Sequence, residues 1–228
     1  MALGVYLHRA AEGSQPQSVA QLMRSIVEGA LDRSGATPTQ TKDLLGALSI
    51  SILNRLGRAI SQSELAPSFD WKPVLRTGLV VQQGQSVQFV LPVFTQWFAA
   101  LELAEGRVSA DELLSDPERF ELWYYPLVIA VGTYPNASVA PLLEAVCQRL
   151  PGAAASIIDE AVARWGSARD AEVRPFRECG TAIMGAMKAL ATGLGPLARV
   201  IAPITEDGEL RTIGVAARGP GLLVSWYH

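Results

Sequence analysis

The stretch LVVQQGQSVQFVLPVFTQWFAA, residues 79–100, decides how the rest of the chain is read. Gln82-Gln83-Gly84-Gln85 is a turn between two β-prone runs. In the second run Val87, Phe89 and Leu91 alternate with Ser86, Gln88 and Val90, so the period predicts a β-hairpin with one buried face, Leu91 included. Pro92 then sits at the favoured first position of a helix that aligns Val93, Phe94, Trp97, Phe98 and Leu101 and closes at Gly106. Upstream, Thr39 or Thr41 starts a helix with Leu44, Leu45, Leu48, Ile52, Leu53 and Leu56 on one face, ended by Gly57. Ser61-Gln62-Ser63-Glu64 has the spacing of a capping box, which predicts a short helix. Asp70 can cap another, with Pro73 in its first turn and Gly78 at its end. The order is helix, two short helices, hairpin, helix: a helix-turn-helix followed by a two-stranded wing, the winged-helix pattern.

The flanking segments are mostly helical. Ala2 to Arg9 is apolar from its first residues and reads as the tail of a helix that starts earlier. Ser18 caps a helix carrying Val19, Leu22, Met23, Ile26, Val27 and Ala30. Beyond Ser109 one turn is expected at Asp111–Leu114, then helices at Pro117–Val131, Val139–Leu150 and Ala154–Trp165, arranged as helical hairpins. After Pro175 a small-residue helix, Cys179–Leu194, precedes strand-like runs at Leu197–Ile201, Glu209–Val215 and Leu222–Tyr227, with Asp207-Gly208 as a hairpin turn. The expected fold is mostly α with a small β component. Its segments are 1–36 (helical), 37–106 (winged helix), 107–175 (helical linker) and 176–228 (a helix plus a β-hairpin, cut short at its end).

Composition narrows the function. The chain has 228 residues, is 49% hydrophobic and only 18% charged, and carries a net charge of −3. No segment is a basic patch, which argues against nucleic acid as a partner. Two cysteines, Cys147 and Cys179, make neither a disulfide framework nor a metal site, and a reduced, cytoplasmic protein is expected. His8 and His228, at opposite ends, are poorly placed for a triad, and no Gly-x-Ser-x-Gly elbow is present. The longest uncharged run, between Glu121 and Glu144, is long enough to span a membrane, but Pro126, Gly132, Pro135, Asn136 and Pro141 interrupt it. Two short buried helices are expected instead. Glu118, Arg119 and Glu121 read as a solvated helix face, and Trp123-Tyr124-Tyr125 as core and contact aromatics rather than a ligand cage.

Residues 88–100, QFVLPVFTQWFAA, resemble the end of the winged-helix domain of NACHT-type NTPases, members of the STAND class of signalling P-loop ATPases. The family pattern is Phe-x-His, two residues, Phe, one residue, Glu, Tyr, Phe or Leu, Ala, Ala. Phe89 and Phe94 fill the two Phe places, Trp97 stands for the Tyr, and Phe98-Ala99-Ala100 close the motif. Leu75-Arg76-Thr77-Gly78-Leu79-Val80 is similar to the family's short helix ending in Gly-Leu-Leu, and Pro16–Arg33 to the basic-ending helix that precedes the winged helix. Two positions depart. The family His that reaches the phosphate of bound ADP is Leu91 here, and the family Glu is Gln96. A leucine donates no hydrogen bond to phosphate. Buried with Phe89, Phe94, Trp97 and Phe98, Leu91 is expected to serve as core.

The resemblance implies a regulatory switch. In relatives the winged helix packs on a nucleotide-binding domain at rest, swings away when a sensor binds its trigger, and the protein oligomerises; in bacterial members this implies defence, often antiviral. A parent chain would bind ATP or ADP with Mg. This chain would hold no cofactor, since it has only three lysines, Lys42, Lys72 and Lys188, none followed by Ser or Thr, and so no P-loop. Its expected partners are an N-terminal nucleotide-binding domain and, on activation, further copies; no catalysis, nucleic acid or membrane is expected. The alternative is a winged-helix transcriptional regulator reading DNA through Asp70–Thr77 or the helix after Ser61. Those elements carry balanced charges, and Gln82–Gln88 has no Arg or Lys. A scaffold with no nucleotide partner is a third reading.

Overall fold

A computed structural model describes residues 19–35, 37–65, 70–134, 138–161, 189–190, 192–197, 213–218 and 221–226. Several expectations lie outside these residues: the helix at Ala2–Arg9, the Ser18 cap, the turn at Pro135-Asn136, the helical end at Trp165, most of Cys179–Leu194, the Asp207-Gly208 turn, and His8 and His228. The protein is mostly α-helical with a small antiparallel β component. Its described residues divide into two compact units, one drawn from Met1–Glu102 and Glu118–Pro126, the other from Leu103–Pro117 and Leu127–His228.

In the first unit α1 spans Val19–Arg33 and buries Ala20, Met23, Val27 and Ala30, one stripe at helical spacing. Helix α2, Pro38–Asn54, starts at Pro38 with Thr37 before it, one residue ahead of the earlier expected start, because proline's fixed φ suits the first helical position. It buries Leu44, Leu45, Leu48, Ile52 and Leu53 and packs on α1. Strand β1, Ile60–Ser61, follows, then α3, Gln62–Leu65, and α4, Lys72–Arg76. Half of the capping box forms: the Ser61 N–H donates to the Glu64 carboxylate at 3.3 Å, while the Ser61 hydroxyl pairs with that of Ser63. Asp70 accepts from the Lys72 N–H at 3.0 Å, ahead of α4.

Strands β2, Val80–Gln83, and β3, Ser86–Phe89, form the hairpin in the register Val80↔Phe89 to Gln83↔Ser86. The sequence suggests two strands; the sheet has three. Ile60 pairs with Val87 and Ser61 with Ser86, giving the order β1-β3-β2. Two residues show no readable alternation, which is why β1 is invisible to pattern. Helix α5, Pro92–Ala104, follows, with its last two residues assigned to the second unit. The connectivity, a helix, β1, two short helices, and then the β2–β3 hairpin and α5, is that of a winged helix.

The second unit holds α6, Ala110–Leu113, capped by Ser109, whose hydroxyl accepts from the Glu112 N–H at 3.2 Å. Helix α7, Pro117–Thr133, has its residues shared between the units. The helix expected at Pro117–Val131 is present and runs two residues further; Pro126, one of the residues read as interrupting the uncharged run, lies inside it and is buried. Helices α8, Val139–Arg149, and α9, Pro151–Glu160, pack on each other. The second begins at Pro151 rather than Ala154, for the same reason that α2 begins at Pro38. Strands β4, Ile213–Arg218, and β5, Gly221–Trp226, pair antiparallel from Ile213↔Trp226 to Arg218↔Gly221 and lie against α9. Leu197 closes a short 3-10 turn, Gly195–Leu197, and the rest of the strand-like run expected at Leu197–Ile201 lies outside the described residues. Among the described residues, no helix is long and apolar enough to cross a membrane.

Two features of α2 carry measurable consequences. Its C-terminus is a Schellman motif: the Gly57 N–H bonds to the Ile52 carbonyl at 2.8 Å and the Leu56 N–H to the Leu53 carbonyl at 3.0 Å. The left-handed position, which glycine usually fills, is occupied by Leu56, at φ 56° and largely exposed. Leu56→Gly is expected to raise stability by about 1 kcal/mol by relieving that backbone strain, read as a higher denaturation midpoint. Gly46, midway along α2, faces the buried Glu102 of α5: a β-carbon there would lie 1.9 Å from Oε1 and 2.6 Å from the carboxyl carbon. Glu102 has no solvent to retreat into, so Gly46→Ala is expected to cost roughly 1–3 kcal/mol, read in the same melts.

Candidate functional site

The residues singled out by sequence converge on the wing and the helix behind it. Thr77 sets the approach. Its buried hydroxyl donates to the Val74 carbonyl at 2.6 Å and accepts from the Leu79 N–H at 3.1 Å, while Arg33 Nη2 donates to the Thr77 carbonyl at 3.1 Å. These bonds turn the chain out of α4 and into β2. The hairpin tip is fastened by Gln82 Nε2, which donates to the Gly84 carbonyl at 2.8 Å. On the inner face Val87 and Phe89 are buried, and the Phe89 ring stacks on Phe98 of α5 with centroids 5.6 Å apart. Phe94, Trp97, Phe98, Ala99 and Ala100 are buried as their spacing predicts.

Leu91 is not in that core. It is 44% exposed, as is Val90 beside it. The expectation of core packing assumed that the strand alternation continues to residue 91. The ladder instead ends at the Val80↔Phe89 pair, and the Val90 N–H turns to the Leu79 carbonyl at 2.9 Å. Residues 90–91 then bend, and the Leu91 carbonyl accepts from the Phe94 N–H at 3.1 Å as α5 begins at Pro92. The bend breaks the two-residue parity, and Leu91 points to solvent. Gln96 is half-buried.

The surface so formed has an unusual charge pattern. No ionisable side chain occurs between Arg76 and Glu102. Gln82, Gln83, Gly84, Gln85, Val90, Leu91 and Pro92 are all exposed, so this is a surface of amides and apolar groups. The chemistry does not fit a phosphate: Leu91 has no donor, and the segment around it has no cation. Among the described residues, no group of three or more His, Cys, Asp or Glu is placed to hold a metal ion.

The other marked residues have structural parts. Arg119 Nη2 donates to Asn54 Oδ1 at 2.6 Å, so it ties α7 to the end of α2, whereas Glu118 and Glu121 are exposed. Trp123 is fully buried, and Tyr125 is exposed and edge-on to Tyr124. Sequence reasoning missed the Gly46–Glu102 contact. Its signal was present: a glycine inside an apolar helix, and a lone acid ending a long uncharged run.

Cys147 is buried on α8, and its thiol donates to the Leu190 carbonyl at 3.3 Å. Gly193 passes so close that a β-carbon there would lie 2.5 Å from the Cys147 Cβ and 2.8 Å from the Glu144 carbonyl. Burial pushes the thiol up from 9.0 to about 11, which makes it a poor nucleophile.

Compared with protein-family models, curated proteins and solved structures, the chain matches none.

The raised Cys147 pKa has a defined sign. The folded thiol stays protonated where the unfolded one ionises, so its stabilising effect is complete below pH 9.0 and is lost as pH rises towards about 11. Alkylation mapped by mass spectrometry at neutral pH should leave Cys147 unmodified until denaturant is added, and Cys147→Ala should flatten the fall in stability across that alkaline window.

Proposed function

We propose that this chain is the regulatory, winged-helix part of a NACHT-type STAND NTPase. It would couple the state of a nucleotide-binding domain to ligand sensing and assembly in the cytoplasm, with defence signalling as the setting. The observation that carries the reading is the exposure of Leu91 at the junction of β3 and α5. In the resembling family this position bears the side chain that leaves the winged helix to meet bound nucleotide, which requires a surface position. The winged-helix order and the buried Phe89, Phe94, Trp97 and Phe98 support the same reading.

The substitution changes how such a switch would be held. With leucine in place of the donor, the resting contact rests on burial of Val90 and Leu91 against the nucleotide-binding domain, not on a bond to phosphate. Covering one such side chain contributes roughly 1.5–3 kcal/mol. Nucleotide would then bias the switch through the other domain's shape alone. Hydrolysis belongs to that domain, and this chain by itself catalyses nothing.

The reading frame upstream of Met1 tests the proposal. A Gly-x-x-x-x-Gly-Lys-Ser/Thr motif there supports it, and a frame without one overturns it. Titration calorimetry of the chain with ATP and Mg should show no binding, and tight binding would count against the division of labour. A mobility-shift assay with duplex DNA at low salt should show no complex. Salt-sensitive binding would favour the transcriptional regulator instead.

A further inference from the structure

We propose that α7 is a hinge: its two halves turn about Pro126, and the unit that carries the winged helix and the unit that follows move as separate bodies. Such a joint would serve a switch, but it belongs to this chain alone and does not depend on the switch reading.

Three observations place the joint. First, the backbone passes between the two compact units at Glu102–Leu103, Pro117–Glu118 and Pro126–Leu127. The first passage lies in the last turn of α5, with Gly106 at φ 73° just beyond, and the second in the first turn of α7. Helix ends absorb dihedral change at small cost. The third passage falls well inside a 17-residue helix, where an unbroken hydrogen-bond ladder would resist bending. Second, the proline stands at that passage. Pro126 has no N–H, so the Leu122 carbonyl loses its helical donor, and the ring crowds the same carbonyl. Every other proline in a described helix stands in the first turn, where it interrupts no bond: Pro38, Pro73, Pro92, Pro117, Pro141 and Pro151 in the α-helices, and Pro196 in the 3-10 turn. Third, the burial of α7 changes at the same residue. Ahead of it Glu118, Glu121 and Tyr125 are exposed, and Arg119 binds Asn54 at the end of α2. From Pro126 to Val131 every residue is buried. The first half is held along one side and the second is enclosed all round, so the helix divides mechanically where its hydrogen-bond ladder is already broken.

Amide hydrogen exchange of the full 228-residue chain, followed residue by residue by NMR, tests the hinge. The N–H groups of Leu127, Val128 and Ile129 bond across the proline in a regular helix, and those of Ala130 and Val131 do not. All five residues are buried. The first three should exchange at least about tenfold faster than the last two, and Pro126→Ala, which restores the donor to Leu122, should slow them by a similar factor. Pro117→Ala, at a first helical position, should leave the rates unchanged. The motion itself is read between spin labels at Asp32→Cys and Asp159→Cys, exposed residues of the two units, in a Cys179→Ser background. Double electron–electron resonance should give a broad distance distribution that Pro126→Ala narrows and Pro117→Ala does not. Even exchange along α7 overturns the hinge. So does exchange indifferent to Pro126→Ala, or a distance distribution that Pro126→Ala leaves as it was. The upstream reading frame is a separate measurement, so failure here and failure of the switch reading are told apart.

Discussion

The stacking of Phe89 on Phe98 is the contact on which the winged helix depends. It joins the last residue of the hairpin ladder to the middle of α5, which is buried on nearly all sides. A helix in that position cannot slide or rotate without exposing Phe94, Trp97 or Phe98. The strand that feeds it must therefore end where Phe89 meets the ring of Phe98. The bend at 90–91 follows: the chain has two residues in which to leave the sheet and enter the helix, and Pro92 fixes where the helix starts. Leu91 is exposed as a result of that geometry, although its own hydrophobicity favours burial.

Much of this was legible in the residues. The hairpin was readable because Gln-Gln-Gly-Gln separates two β-prone runs, and α5 because proline and an aromatic stripe mark its start and face. Strand β1 was not readable, since two residues have no period and the pairing of Ile60 with Val87 is a tertiary event. The helix expected at Pro117–Val131 runs through Pro126, although proline also interrupts the uncharged run. Loss of one hydrogen bond and a local clash disfavour proline inside a helix, but the buried Leu127, Val128 and Ile129 of α7 hold the helix through it. Leu91 misled because a period of two extrapolates only while the strand continues.

The Glu102–Gly46 contact bears on the same helix from its other end. A carboxyl group reaches the interior at the point where α2 has no side chain, and a β-carbon at Gly46 would collide with it. Glutamate is an expensive choice for such a position, and apolar residues of similar volume would pack there without desolvating a polar group. Ring stacking at the middle of α5 sets where its N-terminal end, next to Leu91, emerges.

That determinacy gives the uncharged surface its meaning. Single exposed hydrophobic residues are common on any protein and need no explanation. Here the apolar pair Val90-Leu91 sits where β3 turns into α5, a helix anchored by the Phe89–Phe98 stack, and the hairpin turn is fastened by its own Gln82 side chain. A surface held this rigidly loses little conformational entropy when it is covered, so a modest apolar area can contribute net affinity that a mobile loop of the same composition would not. A phosphate-directed side chain at position 91 would draw on the same rigidity for a different end, aiming one hydrogen bond at one oxygen. With leucine there, the proposed resting contact would be non-directional, and its specificity would have to come from the shape of the surface and from the amides around it.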